Sequence, residues 1–501
     1  MSKKRVIDPF TTIVPLAIIL VLCILFLVVP EKSGEVLVTI RSFLEDKFGL
    51  FYLIIGLGVF LIGMYIAFSD LGKIKLGKPD EKPKYSFFAW GSMMFTAGIA
   101  ADIVFYSFCE WILYAGESRI SQLGSIQDWA STYPLFHWGP IPWGFYAVLA
   151  ACFGFMLHVR NVNKQKYSEA CRPILGKYTD KVPGKLVDIL AVIALIAGTA
   201  TTFSLATPLL SRAIATISGI NDTKWLTIVI LLVICLLYTV SVIKGMKGVS
   251  FLAQSCVYVF AAMLLYVLVT GKEAVYIFET GFSAMGNLVQ NFIGLSTWTD
   301  PLRENSFPQN WTIFYWAYWM VWCVATPFFI GAISKGRTVK QVILGVFGFG
   351  MSATFISFIV LGNYGLGLHT HGVMDVVGMY EASGDLYTSI IEIIKTLPCY
   401  QIVLVLLIFA MIAFYATSFD SITLVASAYS YQNIEGDEEA SVGMKLFWAV
   451  LLILLPIVLL FSESSMNNLQ TVSMIAAFPI AIVIVMIIVS FIKDARHHIK
   501  K

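Results

Sequence analysis

Hydrophobic positions along the chain gather into twelve long stretches, at residues 13–30, 50–69, 87–115, 138–158, 187–217, 225–243, 250–271, 311–333, 342–366, 400–430, 444–462 and 470–492. Polar and charged residues are concentrated between them. A helix needs about 20 apolar residues to cross the hydrocarbon core of a bilayer, and most of these stretches are that long. Those beginning at 87, 187 and 400 are longer, so tilt, a break or an extension beyond the bilayer is expected there. The pattern predicts an all-α polytopic membrane protein with twelve transmembrane helices.

One stretch is unlike the rest. Residues 310–322 read N-W-T-I-F-Y-W-A-Y-W-M-V-W, with four tryptophans and two tyrosines in about three helical turns. Trp311, Tyr315, Trp319 and Trp322 recur at i, i+4, i+8 and i+11 and so share one helical face. A quaternary ammonium has no N–H to donate, and its natural partner is the negative face of an aromatic ring. Each such ring is worth roughly 0.5–2 kcal/mol when the site is dry. The competing reading is an interfacial aromatic belt or plain packing. A belt occupies one depth, whereas these residues run about 16 Å along the helix axis.

Composition agrees with membrane insertion. Of the 501 residues 58% are hydrophobic and 13% charged, about half the charged share of a soluble domain. The basic residues give an orientation, because cytoplasmic loops are enriched in Lys and Arg. With the N-terminus inside, most of the 34 basic residues fall on the cytoplasmic side, five of them in the loop 71–86 and seven in 159–186. Both termini are then cytoplasmic, and the location expected is the inner cell membrane. The net charge of +3 follows from this topology and gives no reason to expect a nucleic-acid partner. Eight scattered cysteines without a C-x-x-C pair read as small buried hydrophobes. The first apolar stretch is too long, and its flanks too charged, for a cleaved signal peptide.

A few polar residues stand out against this background. Asp102 lies mid-span in T-A-G-I-A-A-D-I-V-F-Y-S-F-C-E, where a charged side chain costs roughly 2.5–3.5 kcal/mol. It should face a cavity, a cation or a proton path, unless it is protonated and bonded to a neighbouring helix. Glu110, eight residues on, reads as a structural hydrogen-bonding group. The fourth stretch opens F-H-W-G-P-I-P-W-G-F-Y, with Trp138, Trp143 and Tyr146 around two helix-breaking prolines. Trp138 joins the other two only if the Pro140–Pro142 segment bends. In F-Y-A-T-S-F-D-S, Thr417 and Ser418 offer hard oxygens to a small cation, or serve as glue between helices. His369 and His371 form an H-T-H that reads as solvated rather than metal-binding. No nucleotide loop, nucleophile elbow or H-E-x-x-H occurs, so no enzyme is expected.

Together, N-W-T-I-F-Y-W-A-Y-W, S-K-G-R-T, F-H-W-G-P-I-P-W and T-S-F-D-S resemble the betaine/choline/carnitine transporter family. The resemblance covers nearly all the stretches and departs from the usual W-x-W-W at Tyr318. It implies a LeuT-like arrangement of two inverted five-helix repeats preceded by two extra helices. The corresponding divisions are 1–86 for the tail, two peripheral helices and basic loop, 87–271 for the first repeat, 272–308 for an extracellular connecting segment, 309–492 for the second repeat, and 493–501 for a short tail. It further implies substrate binding by Asp102, Trp138, Trp143, Tyr146, Trp316, Tyr318, Trp319 and Trp322. A sodium site would be formed by Thr96, Ile99, Phe414, Thr417 and Ser418, with Na+ as the coupling ion where it is used. Members of the family are typically homotrimers.

The third stretch separates substrates. Betaine carriers resemble G-x-G-x-G where this chain has Gly98, Ala100 and Asp102, and choline carriers carry aspartate at the last position. Physics agrees: an ionised Asp102 repels the carboxylate of betaine or carnitine and neutralises choline, whose hydroxyl it can also bond. The expectation is therefore choline uptake by alternating access, driven by a sodium or proton gradient. A betaine or carnitine carrier and a substrate/product antiporter remain the alternatives. A second sodium site is half present, with Thr199 matching and Leu195 lacking an oxygen.

Overall fold

The computed structural model describes residues 6–98, 101–162, 164–244, 246–432, 440–461 and 466–500, with the side chains of 96–98, 241–254, 417, 420–421, 461 and 466–469 outside the description. The described residues of each of the twelve apolar stretches fall mainly on helix, and the described residues form no strand beyond two isolated bridges. The all-α expectation holds. By length and apolarity, seven single helices among the described residues can cross a membrane, or nine crossings if each of two bent helix pairs counts as one.

Helix α1, Pro9–Val28, starts on an Asp8 cap whose carboxylate accepts from the Phe10 N–H at 3.2 Å, and α2, Pro30–Phe68, begins two residues after α1 ends. Proline at the first helical position suits both starts, since its missing N–H would have no partner there. Outward-facing Ile24, Val28, Leu50 and Ile54 leave this pair apolar on its exposed side. Such a surface suits lipid tails, which are as apolar as the side chains themselves.

The core is built from α4 (Ala101–Ala115), α5 (Ile126–His137), α6 (Pro140–His158), α7 (Val182–Ser218) and the aromatic helix α11 (Pro308–Trp322). From Asp102 to Leu113 every residue of α4 is buried, although the stretch carries two carboxyl groups. The stretch at 87–115 divides between α3, Phe87–Gly98, and α4, either side of residues 99–100, which lie outside the description.

Two proline breaks shape the centre. Proline lacks an N–H and its ring displaces the carbonyl four residues earlier, so a freed C=O must find another donor. Pro142 frees the carbonyl of Trp138 at the α5–α6 junction, where the Thr354 hydroxyl donates to it at 3.1 Å. Pro327 does the same to Cys323 between α11 and α12 (Thr326–Ile333), and the Tyr167 hydroxyl donates to that carbonyl. The two helices meet there at 53°. Close packing of α12 on α6 depends on small residues, since a Cβ on Gly331 would lie 2.7 Å from the Gly154 nitrogen.

The remaining helices surround this centre: α8 (Lys224–Lys244), α9 (Met246–Thr270), α10 (Ala274–Thr297), α13 (Val339–Thr370), α15 (Tyr400–Tyr429), α16 (Val442–Phe461) and α17 (Met466–Ile499), with the short amphipathic α14 (Leu386–Lys395) between α13 and α15. The segment 272–308, expected as a connection, holds the 24-residue α10, which turns 114° away from α9 and packs across α5. Its buried residues Ile277, Thr280, Ala284, Leu288 and Leu295 keep the spacing of one helix face. Two short π-turns interrupt α13, at Val346–Met351 and Phe358–Gly362. Turns of that kind commonly lie at functional sites, and the second places Phe358 beside the aromatic cluster described next.

Candidate functional site

Trp319 stands at the centre of a ring cluster. Its indole lies 5.6 Å from Trp138, 5.4 Å from Trp143 and 5.1 Å from Tyr146, centre to centre, with planes tilted by 57° to 75°. Trp138 and Trp143 reach it from opposite sides of the α5–α6 break, so the bend that Trp138 required is present. Phe358, 5.4 Å from Trp138, and Tyr106, 5.3 Å from it, extend the wall. All four central rings are buried. A cation held between two opposed ring faces sits within about 6 Å of each centroid, so opposed rings around one stand at most about 12 Å apart. At 5.1–5.6 Å these rings pack directly on one another, so a cation can sit between them only once they separate.

Polar groups position the cluster. The Trp143 indole N–H donates to the Thr354 hydroxyl oxygen at 3.2 Å, and the single proton of that hydroxyl is shared between the carbonyls of Met351 at 2.8 Å and Trp138 at 3.1 Å. One threonine on α13 thus ties both tryptophans. Thr354→Val leaves a buried N–H and a buried C=O unpaired, at about 1–3 kcal/mol for each group. A fall in the thermal-unfolding midpoint and a several-fold weaker quaternary-amine affinity are expected together, read by scanning fluorimetry with and without ligand.

Asp102 lies in the first turn of α4, 3% exposed, and reaches the cluster through Tyr318. Its Oδ1 accepts from the Ile103 N–H at 3.1 Å, and its Oδ2 accepts from the Tyr318 hydroxyl and, at 3.4 Å, from Thr202 on α7. With the Tyr318 proton on the carboxylate, the Thr202 proton is shared between Oδ2 and the Tyr318 oxygen. The tyrosine at the position where the family pattern has tryptophan therefore holds the carboxylate directly, a role an indole N–H would have to fill from a different place. Tyr318 is 6.5 Å from Trp138, which joins the carboxylate to the ring cluster. Hydrogen bonds to charged groups are worth about 1.5–3 kcal/mol. Tyr318→Phe should weaken binding of a cationic ligand beside Asp102 by roughly tenfold, and Thr202→Val, whose bond is longer, by less, in tryptophan-fluorescence titrations.

Trp322 lies one turn beyond Tyr318, 6.5 Å away, against Gly198 of α7. The indole N–H groups of Trp319 and Trp322 have no partner among the described residues. Trp316 does not join the cluster. Successive helical residues turn by about 100°, which points Trp316 to the other flank of α11 from Tyr318. It packs on Phe136 at 5.2 Å, and its indole fills the space over Gly56 of α2. Trp316 therefore lies on the α2 side of α11, away from the Trp319 cluster.

The expected sodium ligands are only partly visible. Ile99 and the side chains of Thr96 and Thr417 lie outside the described residues. Phe414 and Ser418 lie on unbroken α15, one buried and one half-buried. Inside a continuous helix the Phe414 carbonyl already accepts an N–H and offers a cation its second lone pair. The Thr199 hydroxyl donates to the Leu195 carbonyl at 2.6 Å. Of the histidine pair, His371 lies 3.1 Å from Glu273, while His369 Nδ1, 3.6 Å from Asp375, has no hydrogen-bond partner among the described residues. Among the described residues no group of three or more His, Cys, Asp or Glu gathers as a metal site.

Three groups near the site escaped the reading of the sequence. Tyr106 lies one turn after Asp102, a spacing that could have drawn attention to it. Thr202 belongs to the hydroxyl-rich run T-A-T-T at 199–202. Thr354 gave no signal, because its partner is a carbonyl freed by a distant proline.

Residues 10–500 match the profile of BCCT, the betaine/carnitine/choline family transporter. The chain belongs to this family. It is 30% identical over 489 residues to the glycine betaine transporter OpuD of Bacillus subtilis, covering 94% of this chain and 92% of that one. It is 28% identical over 500 residues to the ectoine/hydroxyectoine transporter of Virgibacillus pantothenticus, covering 98% and 97%. A carnitine transporter of Acinetobacter baumannii is 25% identical over 487 residues, covering 96% and 88%. Among solved structures, a Na+-coupled sialic acid symporter in a substrate-bound outward-open state matches at TM-score 0.44 and 13% identity, covering 89% of this chain and 86% of that one. The protein is thus a multi-pass membrane transporter and not an enzyme, as its apolar helices and lack of a catalytic constellation led one to expect.

Proposed function

We propose that this transporter takes up choline by alternating access, coupled to a gradient of Na+ or protons. The observation that carries the reading is Asp102, buried against an aromatic cluster and held by Tyr318, Thr202 and the Ile103 N–H. Rings that separate to admit a trimethylammonium group supply cation–π contacts, and the carboxylate balances the remaining positive charge and accepts the substrate hydroxyl. A carboxylate on the substrate would meet Asp102 in a poorly screened site and be repelled.

With this reading go twelve crossings in two inverted repeats of five helices after two peripheral ones, both termini cytoplasmic, in the inner cell membrane, as a homotrimer. Phe414, Ser418, Thr417, Thr96 and Ile99 are the proposed ligands when Na+ is the coupling ion.

A second reading has specific support. The unpartnered indole N–H groups of Trp319 and Trp322 are buried donors that a substrate carboxylate would satisfy. They favour glycine betaine, which the Bacillus subtilis relative is named for. Purified protein in proteoliposomes separates these readings. Radiolabelled choline should accumulate under an inward Na+ or proton gradient, and the gradient that drives it names the ion. Accumulation of betaine with no choline flux would reverse the substrate assignment. Uptake that requires only internal substrate would make the protein an exchanger.

A further inference from the structure

Behind the ring cluster lies a second buried carboxyl group that the proposed transport of choline does not use. Glu110 of α4 and His137 of α5 are both fully buried, 3.8 Å apart, and the Tyr114 hydroxyl bridges them. That hydroxyl contacts Glu110 Oε1 and lies 2.6 Å from His137 Nδ1. The other carboxyl oxygen, Oε2, accepts from the Trp138 indole N–H at 2.5 Å. On the far side of the imidazole, Nε2 lies 3.0 Å from the Thr312 hydroxyl of α11.

The Tyr114 hydroxyl has one proton and two partners, so the chain can be wired in two ways. With Glu110 ionised, Tyr114 donates to Glu110, His137 Nδ1–H donates to Tyr114, and the Thr312 hydroxyl donates to Nε2. With one more proton in the chain, the Glu110 O–H donates to Tyr114, Tyr114 donates to Nδ1, and Nε2–H donates to Thr312. The imidazole is neutral in both and only exchanges tautomers, and the two arrangements differ by the single proton on Glu110. Every member keeps a partner in each, so the added proton leaves no contact in the chain broken.

The groups that face this chain are tyrosines and other neutral side chains. They are Tyr106 and Cys109 on α4, Tyr133 on α5, and Tyr315 on α11, which stacks on His137 at 4.8 Å. Asp102 lies two turns away on α4. Glu117 at the end of α4 is occupied by the Trp311 indole at 2.7 Å, and Arg119 lies over the Trp298 ring at 3.6 Å. Among the described residues no lysine or arginine is bonded to Glu110.

We propose that Glu110, Tyr114 and His137 form a proton-binding site whose occupancy sets how firmly Trp138 is held. The inference rests on the ring cluster being the substrate site. A carboxylate accepts from the Trp138 N–H about twice as strongly as a neutral acid does. Uptake of a proton therefore loosens one wall of the cluster, and the rings must separate for substrate to enter. The site couples one proton to opening and is distinct from Asp102.

Infrared difference spectroscopy on the full-length protein in detergent, titrated with pH, tests the site apart from transport. Wild type should show a protonated-carboxyl C=O band that disappears as pH rises. Glu110→Gln should lack it, and Asp102→Asn should keep it. Tyr114→Phe, a smaller change, should keep the band at a shifted frequency. A band absent from wild type, or present in Glu110→Gln and absent in Asp102→Asn, overturns the proposal. Stopped-flow tryptophan fluorescence with choline then tests the coupling. Wild type should associate about tenfold faster at the acid end of the titration, and Glu110→Gln, whose amide imitates the protonated acid, should be fast throughout. Equal pH dependence in both proteins overturns the coupling. A protein that gains the band and binds no quaternary amine would refute the substrate reading and the coupling, leaving the proton site standing.

Discussion

Trp319→Ala is expected to lower the affinity for a quaternary amine by about thirtyfold or more. Trp319 is the one ring in contact with the other three, at 5.1 to 5.6 Å. A dry tryptophan face is worth about 2 kcal/mol to a cation, which is close to thirtyfold in a dissociation constant. Removing it also lets Trp138, Trp143 and Tyr146 lean into the space, which weakens the remaining faces. Alanine leaves a cavity that costs about 3–5 kcal/mol of folding stability, so loss of binding alone would be ambiguous. Trp319→Phe resolves this: a smaller ring keeps a face and most of the packing, and affinity should fall by no more than about tenfold. Trp316→Phe, on the other flank of the helix, should bind as wild type does. Scintillation-proximity titration with radiolabelled choline reads all three. Equal losses at 316 and 319 would mean that the helix, and not the ring cluster, had been perturbed.

The second large effect is expected at Asp102. A carboxylate about 5 Å from a quaternary nitrogen, at an effective dielectric constant near 20, contributes roughly 3 kcal/mol. Asp102→Asn keeps the shape and, with its carbonyl oxygen in place of Oδ2, still accepts from Tyr318 and Thr202, losing the bond from the Ile103 N–H. It should therefore lose choline affinity by about a hundredfold while keeping the fold. Asp102→Gly, which also opens space, should shift uptake in proteoliposomes toward glycine betaine, because a substrate carboxylate is then no longer repelled. Unchanged choline transport in the asparagine variant would make Asp102 a structural hydrogen-bonding residue.

The helices were legible because apolar runs of about 20 residues have few alternatives in a bilayer. Helix α10 was less so. Its outward Phe278, Phe282 and Val289 mix with polar Asn287, Gln290 and Asn291, so the segment lacks a continuous apolar run, and its periodic inner face was overlooked. At the site, the i, i+4 spacing puts Tyr315 and Trp319 on one face, and each meets Trp138, yet spacing alone could not separate Trp316 from its neighbours. Only the packing of Gly56 against that indole tells which flank meets α2. Trp138 approaches Trp143 and Tyr146 only across a bend, and the bend is there because Pro142 removes a hydrogen bond that Thr354 replaces. Tyr318 looked like a tolerated departure from a tryptophan pattern. Its hydroxyl is the group that binds Asp102, a contact between residues 216 positions apart in the chain. Long-range polar pairs of this kind leave no periodic trace in one sequence.

The central claim is that the site prefers a quaternary amine with net positive charge over a zwitterion. Equilibrium binding of choline and glycine betaine to the purified wild-type transporter, measured side by side at neutral pH, tests it most directly. The account predicts that choline binds at least about tenfold more tightly, a difference of about 1.4 kcal/mol. Betaine binding as tightly as choline, or more tightly, would contradict it and assign the free indole donors of Trp319 and Trp322 to a substrate carboxylate.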